Sequence, residues 1–258
     1  MTIQNIAQNQ MSPAMMRLAS GNRINSAADD AAGLAIVQNM TSQIRGLDQG
    51  TRNTMDMQAM ISTAEGGLDV VSDSLNRIRE LSVQALNGTN TDAQRAMIQE
   101  EIGQLAQGIQ SAVSGTQYNT MNLLDGSVQN ANTASSPDGT GAIVNINDMS
   151  SIAQAMTAIA EDGTFDLNAI DNAIQQVAGE RANLGALQNR MDYTANANSI
   201  SSINLADARS RIADADMARE MMNLQQDLVM NQMQILMQRQ AQEQNENSAQ
   251  RLMSTGMQ

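Results

Sequence analysis

The chain has 258 residues, a formal net charge of −13 and neither Cys nor His, and its fourteen basic residues are all Arg. Without Cys or His it lacks thiol nucleophiles, the usual general base and the commonest zinc ligands, so we expect no enzyme activity, no metal site and no cofactor. The acidic balance argues against nucleic-acid binding, and no apolar run is long enough to predict a membrane span.

The scarcity of aromatic residues predicts long helices rather than a thick core. There are one Phe, two Tyr and no Trp, against 21 Met. The remaining apolar residues are largely Ala, Leu, Ile and Val, and two Pro in the whole chain favour helix. We therefore predict a mainly α fold. It is a rod-like bundle of long antiparallel helices with its N- and C-terminal helices paired as a coiled coil, and it carries a small irregular or β-hairpin insertion.

Near the N-terminus, residues 17–36 (RLASGNRINSAADDAAGLAI) join two helical patterns through a polar break. Ser20 and Gly21 can end the first helix, and the short polar side chains of residues 26–30 can cap the next. Asp29 and Asp30 therefore suit a helix start better than a metal site, because negative charge is favourable there. We interpret Asp214, Asp216 and Glu220, near the other end of the chain, in the same way or as a solvated face.

Farther along, apolar residues recur every three or four positions and predict a heptad seam. The seam comprises Ile61, Ala64, Leu68, Val71, Leu75, Ile78, Ser82 and Ala85. A break at residues 87–90 (NGTN) precedes a second segment with Ile98, Ile102, Leu105, Ile109 and Ala112. Because the break is short, we predict two antiparallel helices, followed by a turn or short hairpin at residues 117–126.

The middle of the chain loses this periodicity. Residues 127–164 are rich in Ser, Asn, Asp, Gly and Thr, with a brief apolar alternation at 142–146, and predict an insertion facing solvent. A helical pattern then returns at Ile170, Ile174, Val177, Leu184, Leu187 and Met191, and continues at Leu205, Ala208, Ile212 and Ala215. Since both ends are helical and the middle is not, we expect the chain to fold back on itself.

The extreme ends, residues 1–16 and 221–258, are rich in Gln, Asn and Met. In the second of these, one narrow apolar stripe is formed by Met221, Leu224, Leu228, Ile235 and Leu252. A single stripe on a lone helix buries too little surface to offset the conformational entropy of ordering the segment. We therefore expect both ends to stay disordered until other subunits cover them.

Several segments resemble bacterial flagellin in their amino-acid sequence and in their order along the chain. They are residues 17–36, 41–53 (TSQIRGLDQGTRN), 63–91 (TAEGGLDVVSDSLNRIRELSVQALNGTNT), 170–193 (IDNAIQQVAGERANLGALQNRMDY) and 210–221 (SRIADADMAREM). The resemblance covers roughly residues 17–126 and 166–222, and it is to a short form with little or no outer domain. It implies an exported structural subunit that polymerises with its own copies into the extracellular filament used for motility. The implied partners also include the flagellar export apparatus, an export chaperone and the filament cap.

The resemblance also implies a layered organisation. Residues 1–30 would be an N-terminal inner-tube segment, disordered until assembled, and residues 208–258 a C-terminal inner-tube helix packed through Met221, Leu224, Leu228 and Ile235. Residues 31–126 and 166–207 would form the two halves of the helical rod, and residues 127–165 a small surface-exposed insertion. The segment before Arg17 is shorter than the family's usual N-terminal helix, and the residues after Leu236 are more polar than its usual ending. These departures leave a second reading: a minor or hook-filament junction-type subunit, or a non-polymerising flagellin-like ligand of an innate immune receptor.

Three residues match positions at which related flagellins contact the flagellin-sensing Toll-like receptor of animal hosts: Arg77, Leu81 and Glu101. The competing structural interpretation is that Arg77 pairs with Asp73 one turn earlier and that the same surface packs between protofilaments as a subunit interface.

Overall fold

A computed structural model describes the backbone of residues 13–255 and the side chains of residues 13–248. The first twelve residues of the expected inner-tube segment and the side chain of Leu252 lie outside this range. The helices are α1 (residues 13–20), α2 (Ala31–Ala85), α3 (Asp92–Gly115), α4 (Ser150–Asp162), α5 (Leu167–Ala213) and α6 (Met217–Thr255). Two antiparallel hairpins pair β1 (Gln117–Tyr118) with β2 (Met121–Asn122) and β3 (Ala131–Asn132) with β4 (Ile143–Val144).

The chain divides into two compact units. The central unit is Gln43–Ile203, and the terminal unit combines the chain up to Ser42 with the chain from Asn204 onward. Helices α2 and α5 each contribute residues to both units.

In the central unit, α2 and α5 run antiparallel in constant register. Polar contacts join Asp48 to Ser202, Gln58 to Asp192, Asp69 to Arg181 and Arg79 to Asp171, and successive pairs are separated by equal steps on both helices. Every residue of the heptad seam from Ile61 to Ala85 is buried, and so are Ile170, Val177, Leu184 and Met191. The mainly α, paired-helix fold class is therefore confirmed. The 3.5-residue period also predicted correctly which face of α2 is buried in the core.

Helix α3 begins with a capping box. The backbone N–H of Gln94 donates to the Thr91 hydroxyl, and the Gln94 side chain accepts from the Thr91 backbone N–H. At its other end, Gly67 of α2 lies against Thr116, where a Cβ on the glycine would come 2.3 Å from the Thr116 hydroxyl oxygen. The predicted hairpin after α3 is confirmed by β1 and β2.

The expectation that residues 127–164 face solvent is wrong for their apolar side chains. Val144, Ile146, Met156 and Ile159 are buried in the same core cluster as the helical seam. The apolar alternation at residues 142–146 places alternate side chains on one face, and α4 presents Ile152, Met156 and Ile159 at helical spacing. The Ser-, Asn- and Gly-rich segments around α4 hid this short helix from an argument based on composition.

In the terminal unit, the non-helical segments that precede α2 and α6 lie side by side. Helix α1 ends at residue 20 and Gly21 has a left-handed φ of +71°, as the prediction of a helix stop required. The Ala215 N–H donates to the Gly21 carbonyl at 2.9 Å and the Arg23 N–H to the Ala213 carbonyl at 2.6 Å. The segments before α2 and before α6 therefore form a short antiparallel β-bridge.

Candidate functional site

Helix α6 exposes apolar side chains on two faces, which are separated by roughly 120° around its axis. The predicted stripe includes Met221 and Leu228, which are exposed, and Leu224 and Ile235, which are half-buried. The second face, which the sequence analysis missed, carries Met222, Val229, Met233 and Leu236 at 58 to 60% exposure. A helical count at 100° per residue would have revealed it, because these residues are centred roughly 120° around the helix from the predicted stripe.

Arg77 and Glu101 are brought together across α2 and α3. The guanidinium donates to the Glu101 carboxylate at 2.9 Å and to the Glu80 carboxylate at 3.1 Å, and the Arg77 and Glu101 side chains are each about half exposed. Hydrogen bonding to Glu101 first, and to Glu80 second, raises the pKa of Arg77 above its ordinary value. The predicted pairing with Asp73 is wrong, because the guanidinium turns toward the following turn and the neighbouring helix.

Leu81 does not share this surface. It is 1% exposed and belongs to the buried core of the central unit. Of the three residues matched to the receptor contact, Arg77 and Glu101 can meet another protein directly. Leu81 instead packs inside the bundle beneath them.

A polar loop after β3 docks onto α2 at two glycines. A Cβ on Gly50 would lie 2.0 Å from the Ser135 carbonyl oxygen, and one on Gly46 would lie 2.7 Å from the Pro137 Cβ. Asn53 of α2 donates to the Ala134 carbonyl at 3.0 Å, and Asn198 of α5 donates to the Ser135 carbonyl at 2.7 Å. Two glycines four residues apart are the sequence signal, since they leave one face of a helix flat.

The acidic residues singled out in the sequence act at helix starts and turns. Asp30 accepts from the Gly33 N–H at 2.8 Å, and Asp216 accepts from the Ala218 and Arg219 N–H groups. Asp29 accepts from the backbone and hydroxyl of Ser26, and Asp214 accepts from the Ser210 hydroxyl. Among the described residues, no three acidic side chains are placed to hold a metal ion. Within the same range, no helix is long and apolar enough to cross a bilayer.

Comparison with known families and proteins decides the identity. The bacterial flagellin N-terminal helical region matches residues 1–129, and the bacterial flagellin C-terminal helical region matches residues 167–252. The chain belongs to the flagellin family. Its relatives include a flagellin of Halalkalibacterium halodurans, 42% identical over 234 residues that cover 87% of this chain and 85% of the relative.

Another relative is a flagellar filament core protein of Brachyspira hyodysenteriae, 37% identical over 258 residues, covering 92% of this chain and 90% of the relative. Among solved structures, a Vibrio parahaemolyticus protein described as flagellar hook-associated shares the fold, with a TM-score of 0.61 at 19% identity. That match covers 72% of this chain and all of the other. This flagellin is accordingly a structural subunit of the bacterial flagellar filament, which serves motility.

Proposed function

We propose that the two apolar faces of α6 are buried between subunits and that this burial drives polymerisation. The observation that carries the proposal is the exposure of Met221 and Leu228 on one face of the helix and of Met222 and Met233 on a second face roughly 120° around it. One packing partner covers a single face of a helix, so covering both faces requires more than one neighbour. Each fully buried Leu or Met side chain contributes roughly 1.5 to 3 kcal/mol.

The layering expected from the sequence follows the same logic. Residues 1–30 and 208–258 form the inner tube, with Met221, Leu224, Leu228 and Ile235 packed there. Residues 31–126 and 166–207 form the surrounding rod, and residues 127–165 lie outermost while their apolar side chains remain in the rod's core. Arg77 and Glu101 are exposed on that rod and supply a polar contact between subunits, with Leu81 supporting them from below.

Export and localisation are further parts of the proposal, supported by family membership. The subunit passes through the flagellar export apparatus with an export chaperone, assembles beneath the filament cap and resides outside the cell. Where an animal host displays the flagellin-sensing Toll-like receptor, the Arg77 and Glu101 surface is the contact.

Electron microscopy and sedimentation of the purified full-length chain test the assembly proposal. Met222→Gln combined with Met233→Gln keeps side-chain length and helix propensity but removes apolar surface from the second face. We expect this double variant to raise the critical concentration for polymerisation about tenfold, which corresponds to about 1.4 kcal/mol. Met97→Gln, the same substitution at an exposed site on α3, is the control and should leave it unchanged.

Two results would contradict the proposal. One is a double variant that polymerises like the wild type. The other is a wild type that forms no filaments at any salt or seed concentration. A wild type that only adds onto preformed filaments of another flagellin would instead indicate the minor or junction-type subunit.

A further inference from the structure

A small cavity opens on the surface of the central unit beside the docked loop. Its volume is about 220 Å³, and its walls come from α2, the first hairpin and the loop after β3. Cavities that hold cofactors or drug-sized ligands measure about 300 to 1,000 Å³. This one is the size for a single large side chain.

The cavity combines an apolar lining with polar groups. Met57, Met60 and Tyr118 supply apolar surface, and Asp56 places a carboxylate among the lining residues. Thr133 also lines it, is 2% exposed, and has a buried hydroxyl that makes no hydrogen bond to any described residue. That hydroxyl is closed off from the cavity, so the polar group available to an occupant is the Asp56 carboxylate. An occupant with a hydroxyl of its own could donate to this carboxylate and would complement the cavity better than a purely apolar one.

The same unit exposes one side chain of matching chemistry. Of the three aromatic residues of the chain, Phe165 is buried and Tyr118 packs against the core, whereas Tyr193 is 78% exposed. Aromatic side chains, and Tyr in particular, are concentrated where proteins bind one another. Tyr193 follows Asp192, whose partner on α2 is Gln58, so it lies at the level of the cavity without lining it.

We propose that Tyr193 of one subunit inserts into this cavity of a second copy of the chain. Its ring packs on Met57 and Met60, and its hydroxyl donates to the Asp56 carboxylate. Because the Tyr193 side chain and the cavity are different surfaces of the subunit, the contact is heterologous. It can repeat from subunit to subunit without closing into a dimer. This inference rests on the proposed self-assembly and adds to it a specific contact within the helical rod.

Two variants of the full-length chain remove either half of the contact. Tyr193→Ala removes the exposed knob, and Ala134→Phe fills the cavity from its own wall while leaving the Ala134 carbonyl free to accept from Asn53. We expect each to raise the critical concentration about tenfold or more, as for truncation of an interface hot spot. The double variant should do no worse than the more severe single variant, because both disrupt one contact. Met97→Ala, at a comparably exposed methionine, is the control for removing exposed apolar surface.

Photo-crosslinking identifies the occupant directly. With p-benzoylphenylalanine at position 193 and filaments grown from a mixture of isotopically heavy and light subunits, we expect heavy-to-light links into peptides containing Met57 or Met121. Links into other regions, or none, would overturn the inference. Normal assembly of Tyr193→Ala would overturn it too. So would normal assembly of Ala134→Phe when the monomer of that variant melts at the wild-type temperature. Wild-type filaments must form in the same experiment: their absence refutes self-assembly itself, whereas their presence alongside unaffected variants refutes the Tyr193 contact alone.

Discussion

Replacing Gly50 with alanine tests whether the loop after β3 is held on α2. The new Cβ would lie 2.0 Å from the Ser135 carbonyl oxygen and 2.6 Å from its carbon, and both are backbone atoms. The same carbonyl accepts the Asn198 hydrogen bond, and the adjacent Ala134 carbonyl accepts from Asn53. The loop must therefore move away from α2 and lose both bonds.

The magnitude follows from opposing effects. Two hydrogen bonds at about 0.5 to 1.5 kcal/mol each give a loss of roughly 1 to 3 kcal/mol. Alanine in place of glycine inside a helix raises the free energy of unfolding by about 1 kcal/mol. Gly50→Ala should therefore lower the free energy of unfolding by about 0 to 2 kcal/mol. Gly66→Ala, in the same helix with no atom within 4 Å of the added Cβ, should raise it by about 1 kcal/mol.

Urea denaturation followed by circular dichroism measures both variants under identical conditions. Thermal melting gives a second reading, with a shift of roughly 2 to 4 °C for each kcal/mol. If Gly50→Ala stabilises the protein as much as Gly66→Ala, the loop is not held against α2 and the reasoning fails. Gly46→Ala, which crowds Pro137 of the same loop, should follow Gly50→Ala rather than Gly66→Ala.

Four further substitutions test the core, the surface ion pair, a helix cap and the effect of pH. Leu81→Ala should cost about 2 to 5 kcal/mol because it opens a cavity in the core. Arg77→Ala, at a half-exposed ion pair, should barely change the urea midpoint, so loss of assembly or receptor binding by the first variant alone would reflect unfolding. Thr91→Ala removes the capping box of α3 and should cost about 0.5 to 2 kcal/mol in the same titration. Bonds from the Ser26 backbone and hydroxyl, and then from the Asn25 backbone, hold the pKa of Asp29 below its ordinary 3.8. Its stabilising effect is thus present above that pH and lost as the pH falls through the folded pKa, and Asp29→Asn should remove this acid dependence of amide exchange at Ser26.

The sequence located the long helices because their burial is periodic. The seam from Ile61 to Ala85 is buried throughout, and one period held over four heptads is a signal that composition does not obscure. The cap at Asp30 and the stop at Gly21 are local effects of backbone geometry, so they too could be predicted from neighbouring residues.

The misses share a different physical origin. Arg77 was assigned to Asp73, one turn earlier, whereas it pairs with Glu80 one turn later and with Glu101 of α3. Helical spacing allows both Asp73 and Glu80 and does not rank a partner on another helix. The docking of Ser135 on Gly50 and the cavity at Thr133 join segments far apart in the chain. No local pattern encodes such contacts. In the case of α4, a helix of thirteen residues lies between polar loops, so its apolar positions were averaged with the polar residues of those loops.

In the proposed assembly, burial of the two apolar faces of α6 acts against the repulsion between like-charged subunits, and the balance of the two sets the concentration at which the chain polymerises. A net charge of −13 makes like subunits repel, whereas exposed Met222, Val229 and Met233 lose unfavourable contact with water only when neighbours cover them. Repulsion between surface charges weakens as salt rises, but the gain from burying apolar surface does not. Raised ionic strength should therefore lower the critical concentration of the wild type, and the Met222→Gln and Met233→Gln double variant should require more salt to reach the same polymer fraction. If salt had no effect, charge repulsion would not be what holds the free subunits apart.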